Sequence, residues 1–230
     1  MEKRVNPLKI VDDRVVYSIL LSMRLIYKSL FVAFLVGLAV PGCGRVKERL
    51  YSPGDREAWQ KPGQVLDILG VQIGNRIADV GAGAGYFTFK LAERVGDPGR
   101  VYAVEVDRDM LEILQEKKEL LKRGNVEVIA GDQVGAALPS DLDLIFSCNV
   151  FHEMENPEAY FRKLQPLLKR TGRVAIIEVD PKGAAGLGGI HGTKSEEIVE
   201  IMKRAGYTLT ANHHDLLEEQ HFLVFEKTGL

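Results

Sequence analysis

The sequence predicts an α/β fold, a doubly wound and mostly parallel sheet with helices on both faces. Two observations predict it. Short apolar runs alternate with amphipathic segments from about residue 77 to the end, the pattern of a parallel sheet whose crossovers are helices. The first apolar run, Ile77-Ala78-Asp79-Val80, stops at a glycine-rich loop that opens onto helix-spaced residues. A strand, a glycine turn and a helix in that order build a ligand crevice at the carboxyl end of a sheet.

The elements follow in order. Tyr86 to Val95 places apolar residues at helical spacing, and Val101 to Val106 reads as the second strand. Asp109 to Arg123 is a charged amphipathic helix with Met110, Ile113, Leu114, Lys117, Leu120 and Leu121 at helical spacing. Val126 to Ala130 and Leu142 to Ser147 are strands three and four. Pro157, suited to a first helical turn, opens a helix expected to run to Lys169, before a fifth strand from Arg173 to Val179. Ser195 caps a helix that Gly206 stops. Thr208 to Ala211 and Phe222 to Lys227 are the last two strands.

Composition removes several function classes. The 230 residues carry 30 Lys+Arg against 32 Asp+Glu, a formal charge of -2, so no nucleic-acid partner is expected. Two cysteines, Cys43 and Cys148, are too few for a disulfide scaffold. His213, His214 and His221 have no thiol or carboxylate partners at ligand spacing, and no metal site is expected. The chain divides into an N-terminal tail, residues 1–44, and one domain, residues 45–230.

The tail holds an apolar run, Leu30 to Val40, followed by Pro41-Gly42-Cys43. Eleven helical residues span roughly 16 Å, about half a hydrocarbon core, which suits a signal peptide core. Read from Met23, the segment resembles a bacterial lipoprotein signal, with two basic residues, the apolar run and a cysteine to be lipidated. The expectation is membrane association through residues 30–43, lipoprotein-like or by an uncleaved anchor, with the side of the membrane open. A cytoplasmic domain follows if the run is no export signal.

The sharpest feature is Asp79-Val80-Gly81-Ala82-Gly83-Ala84-Gly85-Tyr86. Glycines let a ligand approach the main chain closely. Glu105, at the end of the next strand, can accept both hydroxyls of a ribose. A dinucleotide loop would read G-x-G-x-x-G, whereas this one runs G-x-G-x-G into Tyr86. Asp79 would repel a diphosphate yet pair with the ammonium of an amino-acid-like ligand. S-adenosylmethionine has that ammonium, no phosphate and a free ribose.

The run IADVGAGAGYFTFKLAERVGDPGRVYAVEVDRDMLEIL resembles the class I S-adenosylmethionine-dependent methyltransferases. So do Gly131-Asp132, LDLIFSCNVFHEM, LKRTGRVAIIE and the closing AGY…HFLVFEK. Arg170-Thr171 replaces the usual Pro-Gly before Gly172. An upstream REAWQKP element, Arg56 to Pro62, matches an uncharacterised bacterial subgroup, often with an export signal. The resemblance implies a seven-stranded Rossmann-like sheet with an antiparallel last strand. It implies Asp79, Gly81, Gly83 and Gly85 at the methionine end of the cofactor and Glu105 on the ribose. Val106 and Met110, or Asp107 with Arg108, flank the adenine, with Asp132 and Gln133 at its amino group. Ser147, Cys148 and Asn149 line the end of the fourth strand near the sulfonium.

Methyl transfer draws mainly on alignment of acceptor and methyl. A base is needed only where the acceptor must lose a proton. His152, just past the fourth strand, fits that role; the alternative is a loop histidine that orders the helix at Pro157. Tyr86 and His191, the latter in a glycine-rich loop, are substrate-side candidates. Trp59 and Tyr51 either cap the acceptor pocket or pack the N-terminal segment. Cys148 reads as a small buried residue. The expected function is methyl transfer to a small-molecule acceptor. The alternatives are a non-catalytic, membrane-tethered adenosyl-ligand-binding protein and an NAD(P)-dependent reductase, which Asp79 before the glycine loop and Tyr86 after it disfavour.

Overall fold

A computed structural model describes residues 56–132, 136–182 and 192–229. The apolar run 30–40, Cys43, Tyr51, Gln133 and His191 lie outside the described residues. Two short helices come first, α1 (Arg56–Gln60) and α2 (Pro62–Ile68). The repeating part follows as β1 (Arg76–Val80), α3 (Tyr86–Val95), β2 (Arg100–Glu105), α4 (Arg108–Leu120) and β3 (Val126–Ala130). Then come β4 (Leu142–Cys148), α5 (Pro157–Leu164), β5 (Leu168–Val179), α6 (Ser195–Arg204), β6 (Tyr207–Asn212) and β7 (Gln220–Lys227).

The seven strands lie in the order β3-β2-β1-β4-β5-β7-β6. β1 pairs in parallel with both β2 and β4, whereas β7 runs antiparallel between β5 and β6. The chain winds outward from β1 to β3, then returns to the middle and winds the other way. The switch point therefore falls between the carboxyl ends of β1 and β4, where open α/β sheets bind ligands.

Each sheet face buries its own core. On one face Ile77, Phe146 and Ala175 pack with Phe87 and Leu91 of α3 and Leu114 of α4. On the other, Ala78, Ile145 and Val174 pack with Phe161 of α5 and Ile198 and Met202 of α6. Successive residues of β1 alternate between the two cores. Because Ala78 and Val80 belong to the second core, Asp79 is left on the α3 side.

Three expectations needed correction. The helix from Pro157 stops at Leu164, short of Lys169, and residues Gln165–Leu167 tighten into a 3₁₀ turn. Pro166 has no N–H to continue the α-helical ladder, and β5 starts at Leu168, ahead of Arg173. There Gly172 is indispensable, because a Cβ would sit 2.7 Å from Leu142 O. The helix around Met110 runs Arg108–Leu120, not Asp109 to Arg123; its N-cap Asp107 accepts from the N–H groups of Asp109 (2.8 Å) and Met110 (3.4 Å). Trp59, for which the sequence set no secondary structure, lies in α1.

Candidate active site

At the switch point lies a cleft of about 1150 Å³, somewhat above the usual ~300–1,000 Å³ of small-ligand pockets. The loop after β1 forms one wall. Gly81, Gly83 and Gly85 have φ of 73°, 54° and 86°, the left-handed region that favours glycine. A Cβ on Gly81 would lie 2.1 Å from Val150 Cγ2, and one on Gly85 would lie 2.4 Å from the Phe89 ring. At Gly83 a Cβ would meet nothing within 4 Å, so this glycine leaves room beside the cleft it lines. Gly85 caps α3 without a side-chain hydrogen bond, so the amide end of α3 carries no competing side chain.

Two buried carboxylates brace the loop. Asp79, 3% exposed, accepts from Thr88 Oγ1 at 2.6 Å. Burial raises its pKa to about 7, against the lowering effect of the Thr88 bond; the Glu105 charge adds to the rise, and Arg56 opposes it. Glu105, 8% exposed, takes the N–H of Gly83 on Oε2 at 2.6 Å. Its Oε1 accepts from the N–H groups of Val106 (2.7 Å) and Asp107 (3.0 Å). The carboxylate therefore ties the end of β2 to the loop after β1.

Val106, Asp107, Met110 and Asp132 line the same side of the cleft. Val106 is 54% exposed, an apolar side chain left open on the cleft wall. Tyr160 closes this side, its pKa pushed up to about 12, chiefly by burial.

The opposite side is built from α1, the end of β4 and the β7 end. Cys148, Asn149 and His152 line it, with Trp59, Met154, Leu217 and Gln220. Ser147 is fully buried and does not line the cleft, which corrects its expected place beside the sulfonium. One strand residue earlier or later turns the opposite way. Gln60 donates to Gln220 Oε1 (3.2 Å) and Cys148 Sγ (3.3 Å), and Gln220 donates to Asn149 Oδ1 (2.6 Å). Burial pushes the Cys148 thiol up to about 12, so it is an inert thiol at neutral pH. Tyr86 donates to Glu57 Oε1 at 3.2 Å, and the Arg56 guanidinium lies 4.0 Å above its ring. Tyr86 thus docks α1 onto the cleft as well as lining it.

His152 Nδ1 lies 2.7 Å from Glu178 Oε1. That hydrogen bond raises the imidazole pKa against the opposing effect of burial. Glu178, Gln60, Gln220 and Arg56 were not among the residues anticipated from sequence. Glu178 left a signal, a carboxylate inside the apolar run of β5 (AIIEV), which a buried strand tolerates only with a partner. The two glutamines left none, since 160 residues separate them. His213, His214 and His221 do not converge: His221 faces Asp180 (3.8 Å), His214 faces Asp215 (3.2 Å), and His213 lies against Phe222.

This sheet order, with a glycine loop after β1 and a carboxylate ending β2, defines a class I methyltransferase fold. The family model described as "Methyltransferase domain" matches residues 73–221. The chain belongs to this family, within the S-adenosylmethionine-dependent class I group. It is 27% identical over 131 residues to a ubiquinone/menaquinone biosynthesis C-methyltransferase of Pseudomonas savastanoi, covering 56% of this chain and 50% of that protein. It is 46% identical to a protein-L-isoaspartate O-methyltransferase of Aeropyrum pernix over 71 residues, 30% of this chain and 27% of that one. The chain thus spans about half or less of the length of these curated relatives. A solved methyltransferase from Aquifex aeolicus superposes with a TM-score of 0.69 at 25% identity, covering 80% of this chain and 97% of that one. The magnesium protoporphyrin IX methyltransferase of Synechocystis, solved with bound S-adenosylhomocysteine, shares the fold at 20% identity and a TM-score of 0.58, covering 74% of this chain and 84% of that one.

Proposed function

We propose that this chain transfers the methyl group of S-adenosylmethionine to a small-molecule acceptor. The observation that carries the reading is the Asp79–glycine loop–Glu105 assembly at the switch point. Its residues suit a cationic, phosphate-free nucleoside. Asp79, Glu105, Asp107 and Asp132 line the cleft, against Arg56 and Lys61 as its basic side chains. The space beside Gly83 admits the methionine chain, the uncapped amide end of α3 suits its carboxylate, and Asp79 suits its ammonium. Glu105 suits the ribose, while Val106 and Met110 suit the adenine, with Asp132 and Gln133 near its amino group. When bound, the cofactor supplies an activated methyl on a sulfonium. The chain's own part is to align an acceptor against it from the side of Cys148, Asn149, His152 and Tyr86, with His191 as a further acceptor contact.

The test is calorimetric titration of the full chain with S-adenosylhomocysteine, with NADH as control. Binding of the first alone, lost in Asp79→Ala and Glu105→Ala, supports the reading. A folded protein that binds NADH or neither ligand sinks it.

Residues 30–43 are proposed to attach the chain to a membrane, on the strength of the apolar run followed by Cys43. Among the described residues no helix is long and apolar enough to cross one. Membrane fractionation of the full chain against a Cys43→Ser variant, with labelled fatty acid, tests lipidation.

A further inference from the structure

Glu178 is wholly buried at the carboxyl end of β5. A carboxylate there persists only if its oxygens are satisfied. Oε1 takes the Val179 N–H (2.9 Å) and faces His152 Nδ1 (2.7 Å), while Oε2 takes the His152 N–H (3.3 Å). Both the ring and the backbone of His152 are therefore held by one side chain. A carboxylate accepts, so Nδ1 carries the proton and the lone pair of the neutral ring falls on Nε2. His152 lines the acceptor side of the cleft with Trp59, Met154 and Gln220. Its other charged neighbour, Glu153, lies 3.8 Å from Nε2 and is 61% exposed.

Resting on the proposed methyl transfer, we propose that Glu178 is a positioning residue. It fixes His152 as an Nδ1–H imidazole whose Nε2 takes the proton of a weakly acidic hydroxyl acceptor, a phenol or enol. In the transfer the acceptor's O–H bond breaks and its proton passes to Nε2. An O–CH3 bond forms as the donor's S–CH3 bond breaks, the bonding pair staying on sulfur. The proton then leaves the imidazolium for solvent. A phenol, near pKa 10, sits about three to four pH units above an ordinary imidazole, and the Glu178 partnership narrows that gap. An aliphatic alcohol lies far higher, and a carboxylate acceptor has no proton to give. Apolar Trp59, Met154 and Leu217 suit an aromatic or conjugated body.

The test uses the full chain labelled with ¹⁵N and ¹³C histidine, His152 signals being assigned by their loss in His152→Gln. The expected result is an Nδ1–H tautomer in the neutral form and a midpoint above the ordinary histidine range. Glu178→Gln should return that midpoint towards ordinary, with S-adenosylhomocysteine affinity within twofold of the unaltered protein. An Nε2–H tautomer in the unaltered protein overturns the proposal whether or not the variant folds, as does a midpoint unmoved in a folded variant. With S-adenosylhomocysteine bound, catechol should shift the His152 signals and benzoate should not. No shift with catechol, or a shift with benzoate alone, overturns the hydroxyl assignment. Loss of S-adenosylhomocysteine binding would sink the methyltransferase reading itself while leaving the tautomer as a separate result.

Discussion

The Gly83 N–H donates to Glu105 Oε2 at 2.6 Å, joining the loop after β1 to the end of β2. The same carboxylate takes the N–H groups of Val106 and Asp107. It therefore shapes the cleft before any ligand arrives, and a ligand hydroxyl would meet an acceptor whose position is already set. Removing it takes the charged acceptor from the part-buried Gly83 N–H, a loss of about 1.5–3 kcal/mol.

Glu105→Ala is accordingly expected to lower the thermal midpoint and to weaken S-adenosylhomocysteine about 10- to 100-fold, as the loss of one or two hydrogen bonds to a charged group implies. Calorimetry and a thermal melt measure both. Binding equal to that of the unaltered protein would remove Glu105 from the ligand site.

Asp79 gives a pH dependence of definite sign. Its pKa of about 7 in the folded chain exceeds the ordinary 3.8, so the folded state binds its proton more tightly than the unfolded one. The stability from this group is full below about pH 4 and is lost as pH rises through about 7. A difference of that size is worth at most on the order of 4 kcal/mol. Asp79→Asn should keep the bond with Thr88 and flatten the decline. Above pH 7 the ligand-free variant should melt higher than the unaltered protein, yet bind S-adenosylhomocysteine at least tenfold more weakly. Parallel melts from pH 5 to 8 would contradict the assignment.

Gly81 and Gly83 have the same kind of backbone and opposite surroundings. Alanine at Gly81 drives a Cβ into Val150, whereas alanine at Gly83 meets open space and only the strain of φ 54°, about 1–2 kcal/mol. Gly81→Ala should therefore fail mainly in folding and be partly rescued by Val150→Ala. Gly83→Ala should fold, with a modest drop in melting temperature, and lose ligand affinity. Equal melting temperatures for the two variants would show that the Val150 contact does not matter.

These features differ in how openly the sequence displayed them. The glycine loop, Asp79 and Glu105 lie within one strand–helix–strand unit, where local spacing carries the information. The strands were legible because each apolar run is short and bounded by turn residues. The end of α5 was missed because Leu164, Leu167 and Leu168 keep a helix-like apolar spacing; Pro166 was the signal that the helix had already closed. On the far side of the cleft Cys148, Asn149, His152 and Trp59 were legible one by one, but not the Gln60–Gln220 link, since α1, β4 and β7 meet there only through tertiary packing. Glu178 falls between these cases, an apolar-run carboxylate that needed a partner without saying which.

The Gln60–Gln220 pair tests that far side. Gln60 is fully buried and Gln220 is 3% exposed, and Arg56 Nε donates to Gln60 Oε1 at 2.7 Å. Gln60 is thus the peg by which α1 is fixed to the end of β7 and over Cys148. Truncating either glutamine leaves the other amide short of a buried partner, at about 1–3 kcal/mol. Removing both should cost less than the sum of the two, with a coupling near 1 kcal/mol in a double-mutant cycle. Freed of the Gln60 contact, α1 should open the cleft and expose more of the half-buried Cys148 thiol, whose high pKa depends chiefly on burial. Peptide mapping after iodoacetamide at pH 8 should find Cys148 nearly unmodified in the unaltered protein and faster to react in Gln60→Ala. Additive stabilities together with unchanged thiol reactivity would mean that α1 is held by Tyr86 and Arg56 instead, and that Gln60 merely fills space.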